Sequence, residues 1–155
     1  MASFGDGLGR VFNVIAAASD VEIPLTQGTC VSYVHVQGGT GTATLDFQQT
    51  DSTNVEADAD LNIGTQSAGS ENLGSRYYVG PDSGGTWTAK AATDANTFTL
   101  GGATNDTGVV TVRAEQLADG YDSVKATASA GTLVAIIHEL LVQRKPSNLK
   151  SSIVA

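Results

Sequence analysis

Basic residues are scarce in this chain. Lys and Arg number 8 against 16 Asp and Glu, so the formal net charge is −8. A chain this acidic has no basic stripe with which to displace counterions from a phosphate backbone, which excludes nucleic acid as an expected partner. The same sign argues against an anionic membrane surface, and no run approaches the roughly 18 apolar residues of a membrane helix. Cysteine is nearly absent. The single Cys30 excludes an internal disulfide, and its setting between Thr29 and Val31 reads as that of a small core residue. A nucleophilic thiol would want a nearby cation, and none stands beside it in sequence. Residues 1–10 lack the basic start and apolar middle of a signal peptide, so synthesis and folding in a cytoplasm are expected.

Catalytic vocabulary is equally thin. Two histidines and one cysteine, distant from one another and without ligand spacing, offer no zinc site. No Gly-x-Ser-x-Gly, phosphate loop or dinucleotide fingerprint is present. His35 shares a strand face with Tyr33, and His138 stands beside Glu139 in an apolar run; a lone strand histidine is first a hydrogen-bonded structural residue. No enzyme and no cofactor are expected from these residues.

What is abundant is Gly, Ala, Thr and Ser, with few prolines and aromatics, in a chain long enough for one domain with a core of its own. The organising stretch runs from Gly120 to Pro146. Val124, Ala126 and Ala128 alternate with Ser123, Lys125 and Thr127, the period of a half-buried strand. After a turn at Gly131, Leu133 to Val142 is apolar on both faces except at His138 and Glu139, as in a strand buried on both sides, in a sandwich or under a neighbouring subunit. These two strands are expected to form a β-hairpin at the core, and Pro146 ends it.

The remaining segments follow the same logic. Val11 to Ala18 reads as a strand, Val21 to Leu25 as a short edge piece, and Cys30 to Gln49 as a hairpin turning at residues 38–41. Residues 50–74 lose the pattern, with Val55, Leu61, Ile63 and Leu73 as expected anchors. Further strands fall at 76–79, 86–90, 97–100 and 109–113, and 114–118 allows one helical turn. Eight or nine short strands with turn residues between them predict an all-β, two-sheet β-sandwich, jelly-roll or immunoglobulin-like, with extended N- and C-terminal arms. The expected division is an arm and first strand over 1–20, the sandwich over 21–143 and a basic arm over 144–155.

Three features invite a functional reading. Glu56, Asp58 and Asp60 could converge on Ca²⁺, although the glycine and closing glutamate of an EF-hand loop are missing, and a solvated acidic loop is the simpler account. Trp87, Tyr77 and Tyr78 could form a sugar-stacking platform, or fill the space between two sheets. The last twelve residues contain Arg144, Lys145 and Lys150 and no carboxylate, with Pro146, Leu149 and Ile153 among them. That composition suits an arm clipped onto the acidic surface or apolar groove of a neighbour.

The run Val109-Val110-Thr111-Val112, Leu117, the stretch Gly120 to Thr127, the Gly-Thr turn with its apolar strand, and the ending Gln143 to Leu149 together resemble small β-sandwich structural proteins of tailed bacteriophage virions. Gly41 to Asp51 resembles a strand and acidic turn of the same proteins, so the resemblance touches about half of the chain and includes no catalytic motif. It implies a capsid decoration (cement) protein, made in a bacterial host and carried on the capsid exterior. Its implied partner is the major capsid protein, with further copies of itself on the particle. A tail-associated carbohydrate or host-surface module is the alternative.

Overall fold

The structure is a computed structural model; it describes residues 12–26, 28–39, 41–53, 55–62, 77–80, 88–90, 96–100 and 106–140. Among the described residues eleven strands follow in order: β1 Phe12–Ile15, β2 Val21–Pro24, β3 Gly28–Val36, β4 Ala43–Thr50, β5 Ala59–Asp60, β6 Tyr77–Gly80, β7 Thr88–Lys90, β8 Thr97–Leu100, β9 Thr107–Arg113, β10 Ser123–Ala128 and β11 Thr132–Leu140. A 3-10 turn, Ala114–Gln116, follows β9, where one helical turn is expected from the sequence.

Two antiparallel sheets form a β-sandwich, as the strand spacing predicts. The larger sheet has the order β1-β11-β3-β9-β6-β7, and the smaller is β10-β4-β5, with β8 also paired to β4. β5 and β8 share one side of β4, pairing with Gln48–Gln49 and with Ala43–Asp46. The alternation that marks each strand in sequence sets its inward face. Val31, Tyr33 and His35 point inward from β3; Ala43, Leu45 and Phe47 from β4; Val110 and Val112 from β9; Val124 and Ala126 from β10; Leu133, Ala135 and Ile137 from β11. The sheets lock at the centre, where the Tyr33 and Phe47 rings meet edge to face at 5.4 Å and 79°. Such a pair adds about 0.5–1.5 kcal/mol to the burial of both rings. The Tyr33 hydroxyl crosses the core and donates to Val124 O at 3.3 Å.

Both expected hairpins are corrected by the ladders. β10 pairs with β4 in the smaller sheet, while β11 pairs with β1 and β3 in the larger. β3 and β4 likewise lie in different sheets. Each turn is therefore a corner between layers, and consecutive strands face one another across the core instead of lying side by side. Period-two alternation is satisfied by either arrangement, because it sets the face of a strand and not its neighbour. The two corners are packed together. His35 Nε2 donates to Ala130 O at 2.6 Å. Gly131, at φ +84°, sits so tightly that a Cβ there would lie 2.7 Å from His35 Nε2 and would strike Val36 O.

After β1 the chain leaves the larger sheet. Ala18 N still donates to Leu133 O, but Asp20 N donates to Ala126 O and Leu25 N to Asp122 O, so residues 18–25 run along β10. Asp20 takes φ +60° at this crossing. Two expected anchors diverge: Leu61 is buried, whereas Val55 is 79% exposed. Ile63 and Leu73 lie outside the described residues.

Candidate interaction surface

The outward face of the larger sheet is built by the residues between the core positions. Directly opposed residues form rows: Val14, Ile136, Ser32 and Thr111; Val134, Val34 and Val109; Thr132, Val36 and Thr107. Val14 and Val36 are exposed, and Val34, Val109, Val134 and Ile136 are half-buried. These rows carry no charged side chain among the described residues. An antiparallel sheet facing water is ordinarily polar on that side, so a β-branched, uncharged face on a chain of charge −8 marks a surface suited to contact.

One polar network interrupts it. Ser32 Oγ lies 2.8 Å from Thr111 Oγ1 and 2.8 Å from His138 Nε2. The spacing is that of a hydroxyl and a base, but the β3 backbone around Ser32 is paired on both sides, to β11 and β9. Among the described residues no pair of free N–H donors is placed against the hydroxyl, and the geometry reads as a bridge tying three strands together. Beyond it His138, Cys30 and Arg113 form the next row. Cys30 is fully buried, as expected of a small apolar residue, and strand parity puts it on the Ser32 side of β3. Burial, and secondarily the Glu139 carboxylate, push its thiol pKa up, the opposite of an activated nucleophile. At Glu139 the backbone takes φ +56° and the ladder skips one residue. Its carboxylate accepts Thr29 Oγ1 at 2.7 Å and lies 4.0 Å from Arg113, an exposed pair that contributes little to stability.

The smaller sheet ends in a polar knot. Asp51 accepts Thr53 N at 2.9 Å, Val55 N at 2.9 Å and Glu56 N at 3.2 Å, with Thr53 Oγ1 2.7 Å from both oxygens. The Thr53 N–H and hydroxyl, ahead of the two further N–H groups, hold the Asp51 carboxyl at about 2. Asp122 accepts Ser52 N, Ser52 Oγ and Ser123 Oγ. Burial raises the Asp122 pKa, but these bonds together outweigh it and the net shift is downward. With their lone pairs occupied by N–H and O–H donors, the two carboxylates have little left for a cation.

The acidic loop does not converge. Asp58 is bonded to Lys125 at 2.5 Å, which raises the Lys125 pKa through that hydrogen bond first. Asp60 is exposed on β5, and Glu56 gives its N–H to Asp51. No group of three or more His, Cys, Asp or Glu side chains among the described residues could hold a metal ion. His35 is fully buried in the core, its Nε2 engaged with Ala130 and its Nδ1 without a partner among the described residues.

The sequence-predicted contact residues Arg144, Lys145, Pro146, Leu149, Lys150 and Ile153 lie outside the described residues, as does Trp87. Tyr77 and Tyr78 are placed on β6 by their backbone, opposite Val110 and Val109. The Asp51 knot and the Ser32–His138 bridge were not singled out from sequence. Asp51-Ser52-Thr53 carried the turn signal of an Asp side chain that bonds backbone N–H groups just ahead of it. Ser32 and His138, 106 residues apart, carried none. No protein-family model, no curated protein and no solved structure matches this chain.

Proposed function

We propose that this chain is a non-enzymatic structural protein of a tailed bacteriophage virion, a capsid decoration protein. It is made in the bacterial host, carried on the capsid exterior, and binds and stabilises the major capsid lattice. The observation that carries the reading is the three uncharged, largely β-branched rows on the outward face of the larger sheet, which lie outside the core cluster of a chain of charge −8. Such a face suits burial against another protein surface and repels nothing on approach. The mechanism is attachment: a rigid two-layer body presents the face, and the basic 144–155 segment supplies opposite charge for a neighbour's carboxylates. A stable contact needs roughly 1,000 Å² or more, but repetition around a symmetric shell lets smaller contacts suffice. The carbohydrate-module reading rests on Trp87, Tyr77 and Tyr78, and no observation favours it.

The test is incorporation into particles. A chain lacking residues 144–155, and separately Val36→Glu at an exposed position of the face, should both fold and melt like the parent. Both should fail to decorate expanded capsids in co-sedimentation. Normal decoration by either variant would remove the corresponding half of the mechanism.

A further inference from the structure

We propose that Asp119 is a site of spontaneous covalent modification: its peptide bond to Gly120 isomerises to an isoaspartyl linkage in the folded protein. Among the described residues an aspartate precedes glycine or serine three times, at Asp51-Ser52, Asp119-Gly120 and Asp122-Ser123. Each pair has the small second residue that lets a backbone nitrogen reach the preceding carboxyl carbon. The structure separates them. Both oxygens of Asp51 accept the Thr53 hydroxyl, and the nitrogen it would need, Ser52 N, is bonded to Asp122 at 2.9 Å. Asp122 holds Ser52 and Ser123 through its two oxygens, and Ser123 begins β10 against Thr50. Asp119 and Gly120 are both exposed, and neither the carboxylate nor the Gly120 N–H has a hydrogen-bond partner among the described residues. Gly120 takes φ +96°, and the turn around it is closed by Tyr121 N donating to Ala118 O at 3.2 Å. A turn held by one long bond, with glycine inside it, rotates at little cost.

The step needs no cofactor. Gly120 N attacks Cγ of the protonated Asp119 carboxyl; an N–C bond forms, and the carboxyl hydroxyl leaves with the N–H proton as water. The cyclic imide then takes up water at either carbonyl. Opening at Cγ restores aspartate. Opening at the former peptide carbonyl leaves the chain running through Cγ and frees that carbonyl as a carboxylate. The backbone is then one bond longer, immediately before the residues that fasten the 51–58 segment. Tyr121 Oη donates to Ala57 O at 3.1 Å, Asp122 binds Ser52, and the Glu56 side chain lies 3.5 Å from where a Gly120 Cβ would stand. Isomerisation therefore loosens this end of the smaller sheet with age, a property that stands apart from the assembly reading.

The test compares the full chain incubated at mildly acid pH in native buffer and in denaturant. Each aspartate is mapped by enzymatic methyl transfer to isoaspartyl carboxylates and by resistance to an Asp-specific protease. Native Asp119 should convert within about tenfold of its rate in the denatured chain, whereas Asp51 and Asp122 should be suppressed by about a further tenfold or more. Asp119→Glu disfavours ring closure by one extra methylene and removes no contact, so it should fold like the parent. It should abolish conversion at that position, together with the fall in Tm that accompanies ageing of the parent. No isoaspartate at native Asp119 while the denatured chain converts, equal suppression at all three aspartates, or an equal fall in Tm in aged Asp119→Glu would overturn the proposal.

Discussion

Replacing Gly131 by Ala tests the claim that the two inter-sheet corners are built against each other. Gly131 has φ +84°, and the added methyl would meet Val36 O, His35 Nε2 at 2.7 Å and the Gln37 Cα at 3.1 Å. A non-glycine residue in left-handed backbone costs about 1–2 kcal/mol. Displacing His35 from Ala130 O forfeits a buried hydrogen bond worth about 0.5–1.5 kcal/mol. The expected loss is therefore about 1.5–3.5 kcal/mol, a fall in Tm of roughly 5–12 °C for a chain of this length. Two companions separate the causes. Gly41→Ala, at φ +136° with nothing within 4 Å, should show backbone strain alone, about 1–2 kcal/mol. Gly39→Ala, with open space and no positive φ, should stay within about 0.5 kcal/mol of the parent. Chemical denaturation with matched thermal scans reads all three. If Gly131→Ala melts with Gly39→Ala, the corners are not in contact and the inter-sheet crossing is wrongly drawn.

The remaining predictions concern titration and reactivity. The folded-state pKa of Asp51, about 2, lies below the ordinary unfolded value near 3.9. Its stabilising contribution is therefore complete above about pH 4 and is lost as pH falls towards 2. Tm measured from pH 5 to 2 should fall less steeply in Asp51→Asn than in the parent, from a lower plateau; superimposable slopes would show that the N–H groups do not hold the carboxylate. Cys30, buried and with its thiol pKa raised, should react with a thiolate-specific disulfide reagent at neutral pH only as fast as the chain opens. Rapid labelling of the native protein would show that the outward face is open at that row.

What the sequence by itself determined is local. Alternation located the strands and their inward faces: Ala43, Leu45 and Phe47, or Val124 and Ala126, are core positions because period two leaves them no other side. Composition and strand spacing determined the sandwich. Partnership was decided by the tertiary structure alone. The same pattern serves a hairpin and a corner between layers, and the corner prevails where His35, Gly38 and Gly131 let two turns nest. Cys30 shows the same limit: its burial was legible in sequence, but the side of β3 it takes follows only from the register. The outward face of the larger sheet was half legible: Leu133 to Val142 read as apolar on both sides, but its continuation through Val34, Val109 and Val14 required the register of four strands. Facing is a property of a few consecutive residues, whereas pairing is chosen by closing two layers around one core, a condition that involves the whole chain at once.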